Sequence, residues 1–175
     1  MVALTLASPA QTRRFARVLA RLLQTPALVT IEGDLGTGKT TLVRAIMRAR
    51  GVRGAVTSPS FTLAQSYRGR RGEALHHLDL YRLSRGADVD FFAWDDYLAA
   101  DAVTFVEWPA AGSEALPAAD VRLELLHRTP RSRLARLHAP AAFERAAAEG
   151  AAAEGIVLCE PLLDASATAV PWGAS

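Results

Sequence analysis

The feature that most constrains this chain is the run Gly33-Asp34-Leu35-Gly36-Thr37-Gly38-Lys39-Thr40, in which a glycine is followed by four residues and then Gly-Lys-Thr. Residues 27–31, just before it, are a short apolar run rich in β-branched side chains, which predicts a buried strand. After it, Leu42, Val43, Ile46 and Met47 recur at helical spacing until Gly51, which predicts a helix over 39–50. A strand, a glycine-rich turn and a helix in that order form a phosphate-binding unit. Glycines at 33, 36 and 38 let backbone N–H groups turn inward without obstructing side chains, and the helix adds its positive dipole end. Lys39 then reaches the β and γ phosphates as a point charge, and the Thr40 hydroxyl ligates Mg²⁺. Lys39 is also the one lysine among 20 basic residues. A compact ammonium fits inside a ring of backbone donors where a planar guanidinium does not.

The remaining chain alternates strand-like and helical stretches, which predicts an α/β domain. Residues 2–6 alternate weakly and predict a strand at a sheet edge. Ser8 and Pro9 then supply a cap and a first helical position. In the helix that follows, Phe15, Val18, Leu19, Leu22 and Leu23 share one face, while Arg13, Arg17 and Arg21 recur every four residues as a solvated stripe. Residues 61–67 and 74–81 read as strands joined by a glycine-containing polar turn, so antiparallel pairing is expected there. Residues 88–98 read as a helix, and 102–107, 121–126 and 133–138 as strands. Residues 143–153 read as a short helix despite Gly150. The expected architecture is a three-layer phosphate-loop NTPase-like domain with a mixed, partly antiparallel central sheet.

Hydrolysis of a nucleotide needs acids near the metal and a group that orients water. Two carboxylates end apolar strands: Asp79 after Leu-His-His-Leu and Glu107 after Val-Thr-Phe-Val. In open α/β sheets, strand ends beside the glycine loop form the ligand crevice. Asp79 is therefore the candidate for holding Mg²⁺, and Glu107 for polarising water or supporting the metal shell.

Charge divides the chain. Residues 1–145 carry 20 basic and 14 acidic side chains, whereas 146–175 carry four acids and no base. This predicts a domain over 1–145 and an acidic, Ala-rich tail over 146–175, whose removal from residue 150 onward is expected to leave activity intact. The basic excess has no dense cluster, so composition alone points weakly to nucleic acid. One cysteine, Cys159, cannot form an internal bridge. No apolar run approaches the roughly 18 residues of a spanning helix. A cytoplasmic protein with no membrane or DNA partner is expected.

Four motifs in order are Gly33 through Thr41, Thr57-Ser-Pro-Ser-Phe-Thr-Leu63, His77-Leu-Asp-Leu-Tyr-Arg82 and Val106-Glu-Trp-Pro109. With them the chain resembles, over roughly residues 4–130, the TsaE family of bacterial ATPases in tRNA threonylcarbamoyladenosine synthesis. The resemblance implies an ATP-hydrolysing subunit, weak alone, that acts with the TsaB and TsaD proteins to modify the adenosine next to the anticodon, with tRNA reached through the complex. It assigns Lys39, Thr40 and Thr41 to nucleotide and metal, Asp79 to Mg²⁺, Glu107 to the catalytic environment and Trp108 to the nucleotide's surroundings. Thr57, Ser58 or Ser60 would approach the γ phosphate. Thr37 stands where the family usually has Ala. Two rivals share the loop: a small-molecule kinase, with Arg68, Arg70 and Arg71 taken as lid residues, and a nucleotide-gated docking module with negligible hydrolysis.

Overall fold

The computed structural model describes residues 1–59, 62–83, 94–112 and 115–159. Ser60, the start of the strand expected over 61–67, residues 88–93 of the expected helix and residues 160–175 of the tail lie outside that range.

Eight strands form one mixed sheet in the order β3-β4-β5-β2-β6-β7-β1-β8. Its parallel centre joins β2 (Ala27–Glu32) to β5 (Ala102–Glu107) on one side and to β6 (Val121–His127) on the other, with β4 (Ala74–Asp79) parallel to β5. β5 is buried along its whole length, as expected of a parallel strand covered on both faces. Antiparallel strands finish both sides: β3 (Ala64–Arg68) forms a hairpin with β4, and β7 (Arg133–His138) joins β6 to β1 (Val2–Leu6).

β1 is not an edge strand. A short strand not foreseen from the sequence, β8 (Val157–Cys159), pairs with its outer side. Three residues with two exposed side chains carry too little alternation to be read locally.

Helix α1 (Pro9–Leu22) begins where expected, with the Ser8 hydroxyl accepting from the Gln11 N–H. Its Phe15, Val18 and Leu19 are buried, each contributing about 1.5–3 kcal/mol of apolar burial. Helices α1, α2 (Lys39–Ala49) and α4 (Ala141–Ala153) cover one face around Ile31, Leu75, Phe105, Leu123 and Leu137. The other face carries a smaller cluster among the described residues. Leu28, Leu78, Leu80 and Val106 are covered there by loops and the one-turn helix α3 (Trp94–Tyr97).

α4 runs through the compositional boundary at 145. Ala147, Ala151 and Ile156 belong to the main core, and Gly150 lies so close to α1 that a Cβ there would stand 2.7 Å from Val18. A cut at residue 150 thus enters the core. Alanine packing supplies small but fully buried surfaces that composition does not reveal. Among the described residues no helix is long and apolar enough to cross a membrane.

Candidate active site

β2 delivers the chain to the glycine loop at the carboxyl end of the parallel strands, and α2 carries it away. Gly33, Gly36 and Gly38 have φ of 135°, 80° and 101°, where side chains are strained. At Gly33 space is lacking as well, because a Cβ would stand 2.1 Å from the Leu125 carbonyl oxygen. The Thr37 hydroxyl donates to the Asp34 carbonyl at 2.8 Å, which fastens the loop to itself.

The ammonium of Lys39 donates to the carbonyls of Gly33 at 2.6 Å and Asp34 at 2.9 Å. It also lies 3.8 Å from the centre of the Trp108 ring, a cation–π contact. Burial lowers the Lys39 pKa, while Glu107, Asp79 and Asp34 pull it back up. Trp108 takes a left-handed backbone, φ 59°, and its N–H donates to the Ile31 carbonyl at 3.3 Å. Strain of this kind persists only where neighbours hold it. The Tyr81 ring packs against the Trp108 ring, with centroids 4.8 Å apart.

Asp79 and Glu107 are register partners at the ends of β4 and β5, and both are buried. An Asp79 oxygen accepts the Tyr81 N–H at 3.1 Å. Glu107 is divided between two donors: Oε2 accepts the Thr40 hydroxyl at 2.9 Å, and Oε1 faces His77 Nε2 at 2.7 Å. His77 and Asp79, two apart on β4, project from the same face of the sheet. His77 has no exposed surface, and its Nδ1 is buried without a hydrogen-bond partner among the described residues. Only a proton on Nε2 can bridge to the carboxylate, so His77 presents Glu107 with one fixed donor.

Lys39, Thr40, Thr41, Asp79, Glu107 and Trp108 thus line one cleft of about 280 Å³, together with Leu35, Gly36, Gly38 and Tyr81. On the other side of the glycine loop lies a larger, mainly apolar recess of about 670 Å³, between Leu6–Pro9, Leu125, Pro130 and Arg133. The Arg133 guanidinium, from the start of β7, donates to the carbonyls of Thr37 at 2.9 Å and Gly36 at 3.3 Å. It holds the outer side of the loop. Nothing in the local sequence marks Arg133, which arrives from 96 residues away; His77 is hinted at by its period-two spacing from Asp79.

In the segment 57–60, the Thr57 hydroxyl donates to Gln65 at 2.7 Å. The arginines suggested as a kinase lid lie elsewhere. The Arg70 N–H donates to the Arg50 carbonyl, at the end of α2 remote from Lys39, about 16 Å along the helix.

The family model for the threonylcarbamoyl adenosine biosynthesis protein TsaE matches residues 6–135. A tRNA threonylcarbamoyladenosine biosynthesis protein TsaE from Haemophilus influenzae is 37% identical over 114 residues, covering 65% of this chain and 72% of the relative. One from Streptomyces coelicolor is 42% identical over 114 residues, 65% of this chain and 77% of the relative. The crystal structure of Bacillus subtilis YdiB superposes with a TM-score of 0.70 at 24% identity, over 89% of this chain and 98% of that one, a likeness of fold.

Proposed function

Because this chain belongs to the TsaE family of threonylcarbamoyl adenosine biosynthesis proteins, we propose that it binds Mg·ATP at residues 33–41 and hydrolyses it, slowly by itself, in support of tRNA threonylcarbamoylation with the TsaB and TsaD proteins. The observation that carries this reading is the convergence of Lys39, Thr40, Asp79 and Glu107 on the cleft that also holds the glycine loop.

The donor set suits the metal. Mg²⁺ prefers hard oxygens, keeps several waters and takes only one or two protein carboxylates beside phosphate. Here a hydroxyl and two buried carboxylates stand together with a single ammonium. Magnesium, when bound, supplies Lewis-acid charge to the phosphate oxygens.

The chain's own residues do the rest. Backbone N–H groups of 36–41 and the start of α2 receive phosphate oxygens, and Lys39 adds a cation restrained by the Gly33 and Asp34 carbonyls. Glu107, held by His77 and Thr40, orients the attacking water. Trp108 and Tyr81 cover the cleft and limit solvent. The apolar recess beyond the loop accommodates the nucleoside, with Arg133 keeping the loop carbonyls in place.

Calorimetry and steady-state turnover test the reading. Lys39→Ala is expected to abolish ATP binding, and unchanged affinity would refute the site. Glu107→Ala is expected to keep binding and lose turnover, so hydrolysis at the wild-type rate would remove Glu107 from the mechanism. Turnover that rises with TsaB, TsaD and tRNA, together with partner-dependent modified adenosine, supports the assigned role; turnover indifferent to them moves the function to another ATPase or a kinase.

A further inference from the structure

A second concave site lies at the far end of α2. There the end of α1, the end of α2 and the β3–β4 turn enclose a pocket of about 430 Å³ whose polar lining is Arg17, Arg21, Arg50, Arg70, Arg71 and Glu73. Its floor is built. The Arg50 side chain is 8% exposed; it donates to the Ala20 and Leu23 carbonyls at 3.1 and 3.0 Å and to Glu73 at 3.1 Å. One guanidinium thereby ties together both helix ends and the hairpin. The Arg70 N–H on the Arg50 carbonyl, at 2.8 Å, adds a backbone link.

The charges do not balance. Glu73 is occupied by Arg50 and by the Arg71 N–H at 2.9 Å. Arg17 and Arg21 share Glu154, at 3.2 and 3.5 Å, and remain 50% and 63% exposed. Among the described residues, the Arg70 and Arg71 side chains have no hydrogen-bond or ion-pair partner. Two exposed guanidiniums on one pocket without a partner of their own offer donors to an anion, and their planar forks match phosphate oxygens.

We infer that this arginine pocket binds the phosphate backbone of RNA. The pocket has no aromatic lining to stack a base and no acid beyond Glu73, so its chemistry is that of backbone contact rather than base reading. The positive surface continues past the pocket, with exposed Arg13 along α1 and exposed Arg48 and Arg53 around the end of α2. An extended array suits a repeating anion better than a single small one. The pathway of the family acts on tRNA, which supplies such a backbone. Because α2 separates this pocket from the glycine loop, RNA bound there leaves the nucleotide cleft accessible. The inference rests on the surface and on family membership, not on ATP hydrolysis.

The test is fluorescence anisotropy of a labelled tRNA transcript titrated with the full chain across a salt series. The wild type is expected to bind with a Kd of roughly 1–100 μM at moderate salt, weakening as salt rises. Arg70→Ala/Arg71→Ala removes two exposed contacts and is expected to weaken binding at least about tenfold and to reduce the log–log salt slope by about 1.5. Its ATP affinity and melting temperature should stay at wild-type values; Arg70→Lys/Arg71→Lys, which keeps charge but loses the forks, should fall between. No RNA binding by the wild type, or a double-alanine variant with the same affinity and slope, overturns the inference. So does displacement of RNA by inorganic phosphate at matched ionic strength, which would make this a small-anion site. Loss of ATP binding in Lys39→Ala with RNA binding intact separates this inference from the ATPase reading.

Discussion

Replacing His77 tests how the site controls Glu107. The imidazole is fully buried and gives the Glu107 carboxylate one of its two side-chain donors, at 2.7 Å, the other being Thr40 at 2.9 Å. His77→Ala removes a hydrogen bond to a buried acid, about 1.5–3 kcal/mol, and leaves a cavity. For a domain of this size, loss of the hydrogen bond alone lowers the melting temperature by roughly 3–12 °C. Turnover is expected to fall more than stability alone explains: a carboxylate free to turn away from its attack geometry loses about 100-fold in kcat, with KM for ATP little changed because Lys39 and the loop are untouched. Reach separates orientation from packing. A Gln amide nitrogen extends to about the place of Nε2, whereas Asn stops near Nδ1, so His77→Gln should restore turnover to within a few fold and His77→Asn should not. Equal kcat in folded Gln and Asn variants, measured by phosphate release, would refute the claim that His77 orients Glu107.

Gly33→Ala should abolish ATP binding in calorimetry, since a Cβ 2.1 Å from the Leu125 carbonyl oxygen must displace the loop; Gly36→Ala, with open space but φ 80°, should cost only about 1–2 kcal/mol of stability. His76, buried against Tyr97 and bonded to Ser66, has its pKa lowered by burial first, with Asp101 opposing and Arg68 assisting. The unfolded chain then binds more protons than the folded one between the two pKa values. Stability should therefore be full above about pH 6.5 and decline as pH falls below it; denaturant titrations of His76→Gln should show a flatter profile in that window, and an unchanged profile would exclude His76 as the source. A chain ending at 149 should melt well below one ending at 159, because it loses buried Ala151 and Ile156 and the β8 pairing, Ile156 alone contributing about 1.5–3 kcal/mol. Equal melting curves would show that these contacts carry no stability.

The parts of this protein legible in its sequence are those governed by neighbouring residues. The glycine loop is local, since positive φ at 33, 36 and 38 requires glycine and the spacing to Lys39 sets where a cation sits. Strand alternation and helical spacing are local too, as are Ser8 at the start of α1 and the two acids at strand ends. Tertiary structure decided what depends on distant chain meeting: β8 shielding β1, alanines of α4 entering the core, Arg133 clasping the loop from β7, and His77 facing Glu107 across two parallel strands. It also gathered arginines from two helices and a hairpin into one pocket, where the linear charge pattern shows only a dilute positive excess. Hydrogen bonds and charges act over a few ångströms in space, so which groups are paired, and which are left to meet a ligand, is settled only when the sheet brings them together.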